Sequence, residues 1–167
     1  MRAERIQELQ HIIVFGGNDS HNCRATRDLL NEGGAPLSET GGGAYWRELS
    51  AGGQEYALFD TRDEKNFMAA LAAGAGKAEV AVIVIDVTDG ITDQLYRQCY
   101  ALTVFGVREA VLMTSKMEAV DYSEEIFEDI EHKVRDHFAT LELKILAFIP
   151  DGDGDVEALS WHQGATL

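Results

Sequence analysis

Cysteine is scarce in this sequence. Cys23 and Cys99 are the only two among 167 residues. They lie far apart and match no metal-ligand spacing, so neither a disulfide framework nor a cysteine-rich zinc site can be built from them. That usage fits a reducing compartment, and a cytoplasmic location is expected. Basic residues are also few. Fourteen Lys+Arg against twenty-nine Asp+Glu give a net charge of −15, which disfavours an unspecific electrostatic grip on nucleic acid or on an anionic membrane. No apolar run reaches the roughly 18 residues of a membrane span. Residues 1–10 carry acids where a signal peptide would carry its apolar stretch. What is present is a 46% apolar composition, enough for one sizeable core in one domain.

Residues 1–10 have a mixed-charge helical pattern with Ile6 and Leu9 as the large apolar positions after Met1, which predicts a short leading helix or a flexible terminus. His11 to Gly16 is a continuous apolar run closed by glycine, suited to a strand buried on both faces of a parallel sheet. Arg24 to Glu32 places Ala25, Leu29 and Leu30 on one helical face before Gly33-Gly34. Gly33 to Gly43 reads as a surface loop. Ala44–Leu49 and Gln54–Asp60 flank Ala51-Gly52-Gly53 with hairpin spacing, at one sheet edge.

The second half alternates more plainly. Val80 to Asp86 is a buried strand, Leu95, Cys99 and Leu102 mark a helix, and Ala110 to Thr114 is a strand. Asp121-x-x-Glu124 reads as a capping box opening a helix whose Ile126, Phe127, Ile130, Val134 and Phe138 face the core. Leu143 to Ile149 is a last strand. Buried strands alternating with amphipathic helices predict a three-layer α/β domain with helices on both faces. Ligands then bind beyond the carboxyl ends of the strands, in the loops after Phe15, Phe59, Ile85, Thr114 and Ile149.

In those loops the chain resembles the translational GTPases, the branch holding elongation factor Tu, elongation factor 1-alpha and the large subunit of sulfate adenylyltransferase. Phe15-Gly16 with Asp19 is similar to that branch's Phe-Gly-His-Val-Asp-His-Gly-Lys-Ser-Thr phosphate loop. Phe59-Asp60-Thr61 with Phe67-Met68 resembles its Asp-Thr-Pro-Gly-His-Glu segment. Ala73-Gly-Ala75 and Ala78 to Asp86 with Asp89-Gly90 follow the family strand almost position for position. Lys116-Met117 and Val120 to Phe127 resemble the stretch around the guanine-recognition motif, and Trp161-His-Gln-Gly-Ala-Thr-Leu167 resembles Trp-Tyr-x-Gly-Pro-Thr-Leu. The resemblance covers about residues 11–167. It implies one G domain of the P-loop-NTPase type, with a mostly parallel sheet and one antiparallel edge strand, and without the family's following β-barrel domains.

The departures fall where nucleotide chemistry takes place. The family's glycine, lysine and serine are replaced by His21, Asn22 and Cys23, which weakens backbone approach to phosphate, the positive charge and the magnesium hydroxyl ligand. Arg62, Asp63 and Glu64 stand for Pro-Gly-His and put two acids beside an anionic phosphate. The switch threonine has no clear counterpart in residues 33–49. Ser115-Lys116-Met117-Glu118 stands for Asn-Lys-x-Asp, and Pro150-Asp-Gly-Asp-Gly-Asp155 replaces the last base-contacting loop. Charge-assisted bonds are worth roughly 1.5–3 kcal/mol each, so losing the lysine, magnesium and several loop contacts removes most of the ~8 kcal/mol behind micromolar affinity.

Other clusters have plainer readings. His21 beside Cys23 fits a remodelled loop better than a metal or thiol site. Asp151, Asp153 and Asp155 imitate a calcium loop, but Val156 and His162 occupy the positions needing glycine and glutamate, so an acidic turn is expected. His132 and His137 are five apart and do not stack on one helix face. Tyr96 and Tyr100 read as the edge of the core, and Arg62 to Lys65 as a salt-bridged cap or a partner contact.

The expectation is therefore a pseudo-GTPase. The vestigial nucleotide positions are Gly16, Asp19, His21, Asn22, Cys23, Asp60, Glu64, Ser115, Lys116 and Glu118, with no catalytic residue, metal or cofactor. Such a module is expected to bind a protein with a basic surface, or one from the translation machinery, and neither membrane nor nucleic acid. Self-association through the edge hairpin stays open. A second reading is an atypical GTP-binding protein in which Lys116 and Glu118 hold guanine, Arg24 or Arg62 replaces the phosphate lysine, and GTP or GDP is bound with magnesium. A third is a fragment of a longer factor.

Overall fold

The computed structural model describes residues 9–16, 38–40, 44–51, 53–61, 64–73 and 77–151. The elements in chain order are β1 (Gln10–Gly16), β2 (Ser38–Thr40), β3 (Ala44–Ala51), β4 (Gln54–Asp60), α1 (Glu64–Ala73), β5 (Val80–Asp86), α2 (Asp93–Val104), β6 (Glu109–Ser115), α3 (Glu124–Phe138) and β7 (Lys144–Pro150). Short 3-10 turns at Met117–Val120 and Ala139–Leu141 flank α3.

The seven strands of the described residues form one sheet in the order β2-β3-β4-β1-β5-β6-β7. The predicted central strand β1 pairs in parallel with both β4 and β5. The β3–β4 hairpin closes through Ala51 opposite Gln54, and Gly53 has φ +81, a value that a two-residue hairpin turn uses and glycine tolerates. β3 is the strand antiparallel to its neighbours, as expected. Its outer side is taken by β2, which lies inside the stretch read as a loop from its glycines and serine.

Period-2 alternation sorts the side chains onto two faces. Ile13, Phe15, Ala57, Phe59, Ile83, Ile85, Leu112 and Phe148 face one way, where Phe67, Ala70 and Leu71 of α1, Leu95, Cys99 and Leu102 of α2, and Phe127, Ile130, Val134 and Phe138 of α3 cover them. The ring pairs Phe15–Phe67 and Phe127–Phe148 lie 4.9 and 4.8 Å apart between centroids. Val14, Leu58, Val82, Val84 and Met113 point to the opposite face and are buried as well. The leading segment 1–8, the predicted helix Arg24–Glu32 and the terminal Trp161 motif lie outside the described residues.

Four expectations shift. The N-cap of α3 is Ser123, whose Oγ accepts from Ile126 N at 3.4 Å, and not Asp121. The reason is the preceding turn, where Asp121 and Tyr122 are left-handed at φ 49 and 52 and delay the helix by two residues. Ile126, at the margin of the covered stripe of α3, is 36% exposed instead of facing the core. Tyr96 does finish the core edge, 6.3 Å from the Phe138 ring, but Tyr100 is 58% exposed on the outer stripe of α2. Asp151 is buried rather than solvated, with its N–H donating to Thr114 O at 3.0 Å.

Candidate functional site

Parallel pairing brings the carboxyl ends of β1, β4, β5, β6 and β7 to one edge of the sheet, and of the sequence-predicted positions Gly16, Asp60, Ser115 and Lys116 lie at or just beyond these ends. Gly16 ends β1 opposite Val84. A Cβ on it would lie 2.1 Å from the Val84 carbonyl oxygen, so the close approach of β1 to β5 by itself requires glycine here. Thr61, just past β4, is buried, and its Oγ1 and N–H both donate to Val14 O, at 2.8 and 3.2 Å. This ties the start of the β4–α1 connection to the central strand.

The best-defined geometry is at the ends of β5 and β6. Asp86 and Ser115 are in register, Ser115 is buried, and Val87 N–H donates to Ser115 O at 3.1 Å. The Asp86 carboxylate is only 5% exposed. Its Oδ1 accepts from Thr88 N–H at 2.8 Å and from Thr88 Oγ1 at 2.6 Å. Its Oδ2 faces Lys116 Nζ at 2.5 Å, and Lys116 is itself one-third exposed. Burial pushes the Asp86 carboxyl up, but the hydrogen bonds from Lys116 and Thr88 and the charge of Lys116 outweigh it and hold the group below its ordinary 3.8. Lys116 adopts φ 60 and ψ 33, a left-handed conformation that costs a side-chain-bearing residue on the order of 1 kcal/mol. The ion pair is one contact that holds it there.

Glu118 lies exposed on the 3-10 turn, one residue after the fully buried Met117. Asp60 and Glu64 sit at the end of β4 and the start of α1. Asp19, His21, Asn22 and Cys23, together with Arg24 and Arg62, lie outside the described residues. The structure thus joins Lys116 to the β5 end and leaves Glu118 at the surface. Asp86 and Thr88 were missed as members of the cluster. Their signal was available: a carboxylate that ends six apolar residues, Val80–Ile85, has to be buried and therefore partnered. Among the described residues no group of three His, Cys, Asp or Glu side chains could hold a metal ion.

Comparison with known proteins agrees with this architecture. A family model described as the elongation factor Tu GTP binding domain matches residues 45–159. Sulfate adenylyltransferase subunit 1 of Aeromonas hydrophila is 30% identical over 129 residues, covering 73% of this chain and 27% of that protein. The bifunctional enzyme CysN/CysC of Rhodopirellula baltica is 32% identical over 131 residues, covering 73% of this chain and 20% of that protein. Among solved structures, a bacterial selenocysteine-specific elongation factor superimposes with a TM-score of 0.65 at 16% identity, over 87% of this chain and 26% of that one. The chain spans about a quarter of the length of the curated relatives it matches.

Proposed function

The chain belongs to the family of the elongation factor Tu GTP binding domain, and from that premise we propose that it is a G domain turned to protein binding, without GTP binding or hydrolysis. The observation that carries this reading is the state of the base-reading segment. Lys116, the residue retained from the family motif, has its ammonium on the buried Asp86 carboxylate, and Glu118, in place of the family's shorter acid, is exposed on the turn. These groups are a poor fit to a guanine base. The acids at 63 and 64 and the absence of a lysine in residues 16–23 support the same reading on the phosphate side. Gly16 does not argue for phosphate binding, because β1–β5 packing alone accounts for it.

The role that remains is recognition by a protein with a basic surface, given the charge of −15, in the cytoplasm. The second reading, an atypical GTP-binding protein, draws on one observation: Lys116-Met117-Glu118 stands directly after β6, in the register of the family motif. Thermal unfolding separates the two. A micromolar ligand at a thousandfold excess over its dissociation constant stabilises by about 4 kcal/mol, worth about 10 °C in Tm for a domain of this size. No shift is expected with GTP or GDP, with or without magnesium. A magnesium-dependent rise of that size would establish the second reading.

A further inference from the structure

The connection from β6 to α3, residues 116–123, closes its backbone hydrogen bonds within itself. Ala119 N–H donates to Lys116 O at 2.9 Å, Asp121 N–H to Glu118 O at 3.3 Å, Tyr122 N–H to Met117 O at 2.9 Å and Ser123 N–H to Val120 O at 3.0 Å. The strand before it is held by its neighbours instead. β6 is paired with both β5 and β7, and its register with β5 runs as far as Ser115 opposite Asp86. Past that point two side chains reach out of the turn. Lys116 places its ammonium on the Asp86 carboxylate at 2.5 Å, and Met117 is fully buried in the main core.

Among the described residues, three of the four non-glycine positions with positive φ lie in this segment: Lys116 at 60°, Asp121 at 49° and Tyr122 at 52°. Their Cβ atoms favour a return to right-handed or extended backbone. Such residues keep a left-handed conformation only while their surroundings impose it. On the side of the sheet that contact is firmly based. Asp86 is buried, and Thr88 holds its other carboxylate oxygen through N–H and hydroxyl, so the carboxylate stays behind when the lysine leaves. Lys116 is one-third exposed and regains water as it lets go. The two ends of the contact are therefore unequal, one fixed and one free to move.

We propose that residues 116–123 form a local unit that opens while the sheet stays folded, and that the Asp86–Lys116 contact is the latch that keeps it shut. Opening breaks the ion pair, lets the three left-handed residues relax and lifts Met117 from the core. Glu118 and the entry into α3 then move independently of the sheet, so the latch decides how this segment is presented. The proposal goes beyond the loss of nucleotide binding and does not rest on it, because every contact named is internal to the chain.

Amide hydrogen exchange followed by NMR on the whole chain tests this, under conditions where reclosing outruns exchange so that rates read opening equilibria. The Ala119, Tyr122 and Ser123 amides should exchange at least about tenfold faster than those of Val82, Val84 and Leu112 in β5 and β6, whose exchange needs global unfolding. Asp86→Asn removes a contact that is lost both in the open form and in the unfolded chain, so turn and sheet amides should accelerate by one common factor, about fivefold. Lys116→Met should do the same at about thirtyfold, which keeps the comparison available if one variant folds poorly. Phe67→Leu loosens the Phe15–Phe67 ring pair on β1, two strands away from β6. It should accelerate the sheet amides and leave the turn amides within about twofold. Turn amides that exchange at the sheet rate in the unaltered protein would overturn the proposal, and so would turn amides left unchanged by Asp86→Asn and Lys116→Met while the sheet amides accelerate. Nucleotide binding is read from Tm and plays no part in these rates, so failure of this inference and failure of the proposed function are distinguishable.

Discussion

Replacing Lys116 by methionine removes the ammonium and keeps most of the side-chain volume. The carboxylate left behind is 5% exposed and, among the described residues, retains the two Thr88 hydrogen bonds. Removing one partner of a fully buried pair costs about 3–5 kcal/mol. Lys116 is one-third exposed and Thr88 remains in place, so the expected loss at pH 7 is smaller, about 2 kcal/mol. Asp86→Asn keeps an acceptor for Thr88 and should cost about 1 kcal/mol. In the double variant neither charge is stranded, so the loss should fall short of the sum by about 1 kcal/mol. The pH dependence has a definite sign. The folded carboxyl lies below 3.8, so the pair's contribution is fully present above the unfolded value and is lost as pH falls through the lowered one. Urea unfolding at constant m reads all three variants. Strict additivity, or a Lys116→Met penalty that does not shrink in acid, would refute the assignment of Asp86 as the buried anchor of Lys116.

Three further outcomes follow from single contacts. Gly16→Ala drives a Cβ to 2.1 Å from the Val84 carbonyl oxygen, so β1 and β5 must separate, and a loss of about 3 kcal/mol is expected from chemical denaturation. Ser123→Ala removes the acceptor for Ile126 N–H at the start of α3 and should cost about 1 kcal/mol, with a matching decrease in Tm. Cys99 is fully buried in α2, and burial pushes its thiol far above its ordinary 9.0. It should therefore stay unreactive toward a thiol reagent in the native protein and react only as the chain unfolds; native-state modification at the rate of a free thiol would contradict the packing.

Strands and core helices were legible because their signal is local. Val80–Asp86 and Gln54–Asp60 appear with the boundaries read from apolar continuity and turn residues. The four core residues of α3, Phe127, Ile130, Val134 and Phe138, were legible from their spacing. Ile126 obeys the same periodicity and still ends up exposed, because spacing cannot say how wide the covered stripe is. β2 was illegible because a three-residue strand takes its stability from pairing with β3, not from its own residues. The α3 cap was displaced by left-handed residues, Asp121 and Tyr122, that are not glycine. At the site, the sequence located Lys116 and Glu118 but not the Asp86–Lys116 contact, which depends on β5 and β6 pairing in register.

The central claim is that a G-domain scaffold persists here without guanine nucleotide binding. It is tested most directly by calorimetric titration of nucleotide-stripped protein with GTP and with GDP, with and without magnesium. No binding heat up to millimolar ligand, from a protein that unfolds cooperatively, is the expected result. Saturable magnesium-dependent heat at micromolar concentration would contradict the claim and would make Arg24, Arg62, Lys116 and Glu118 the residues to replace next.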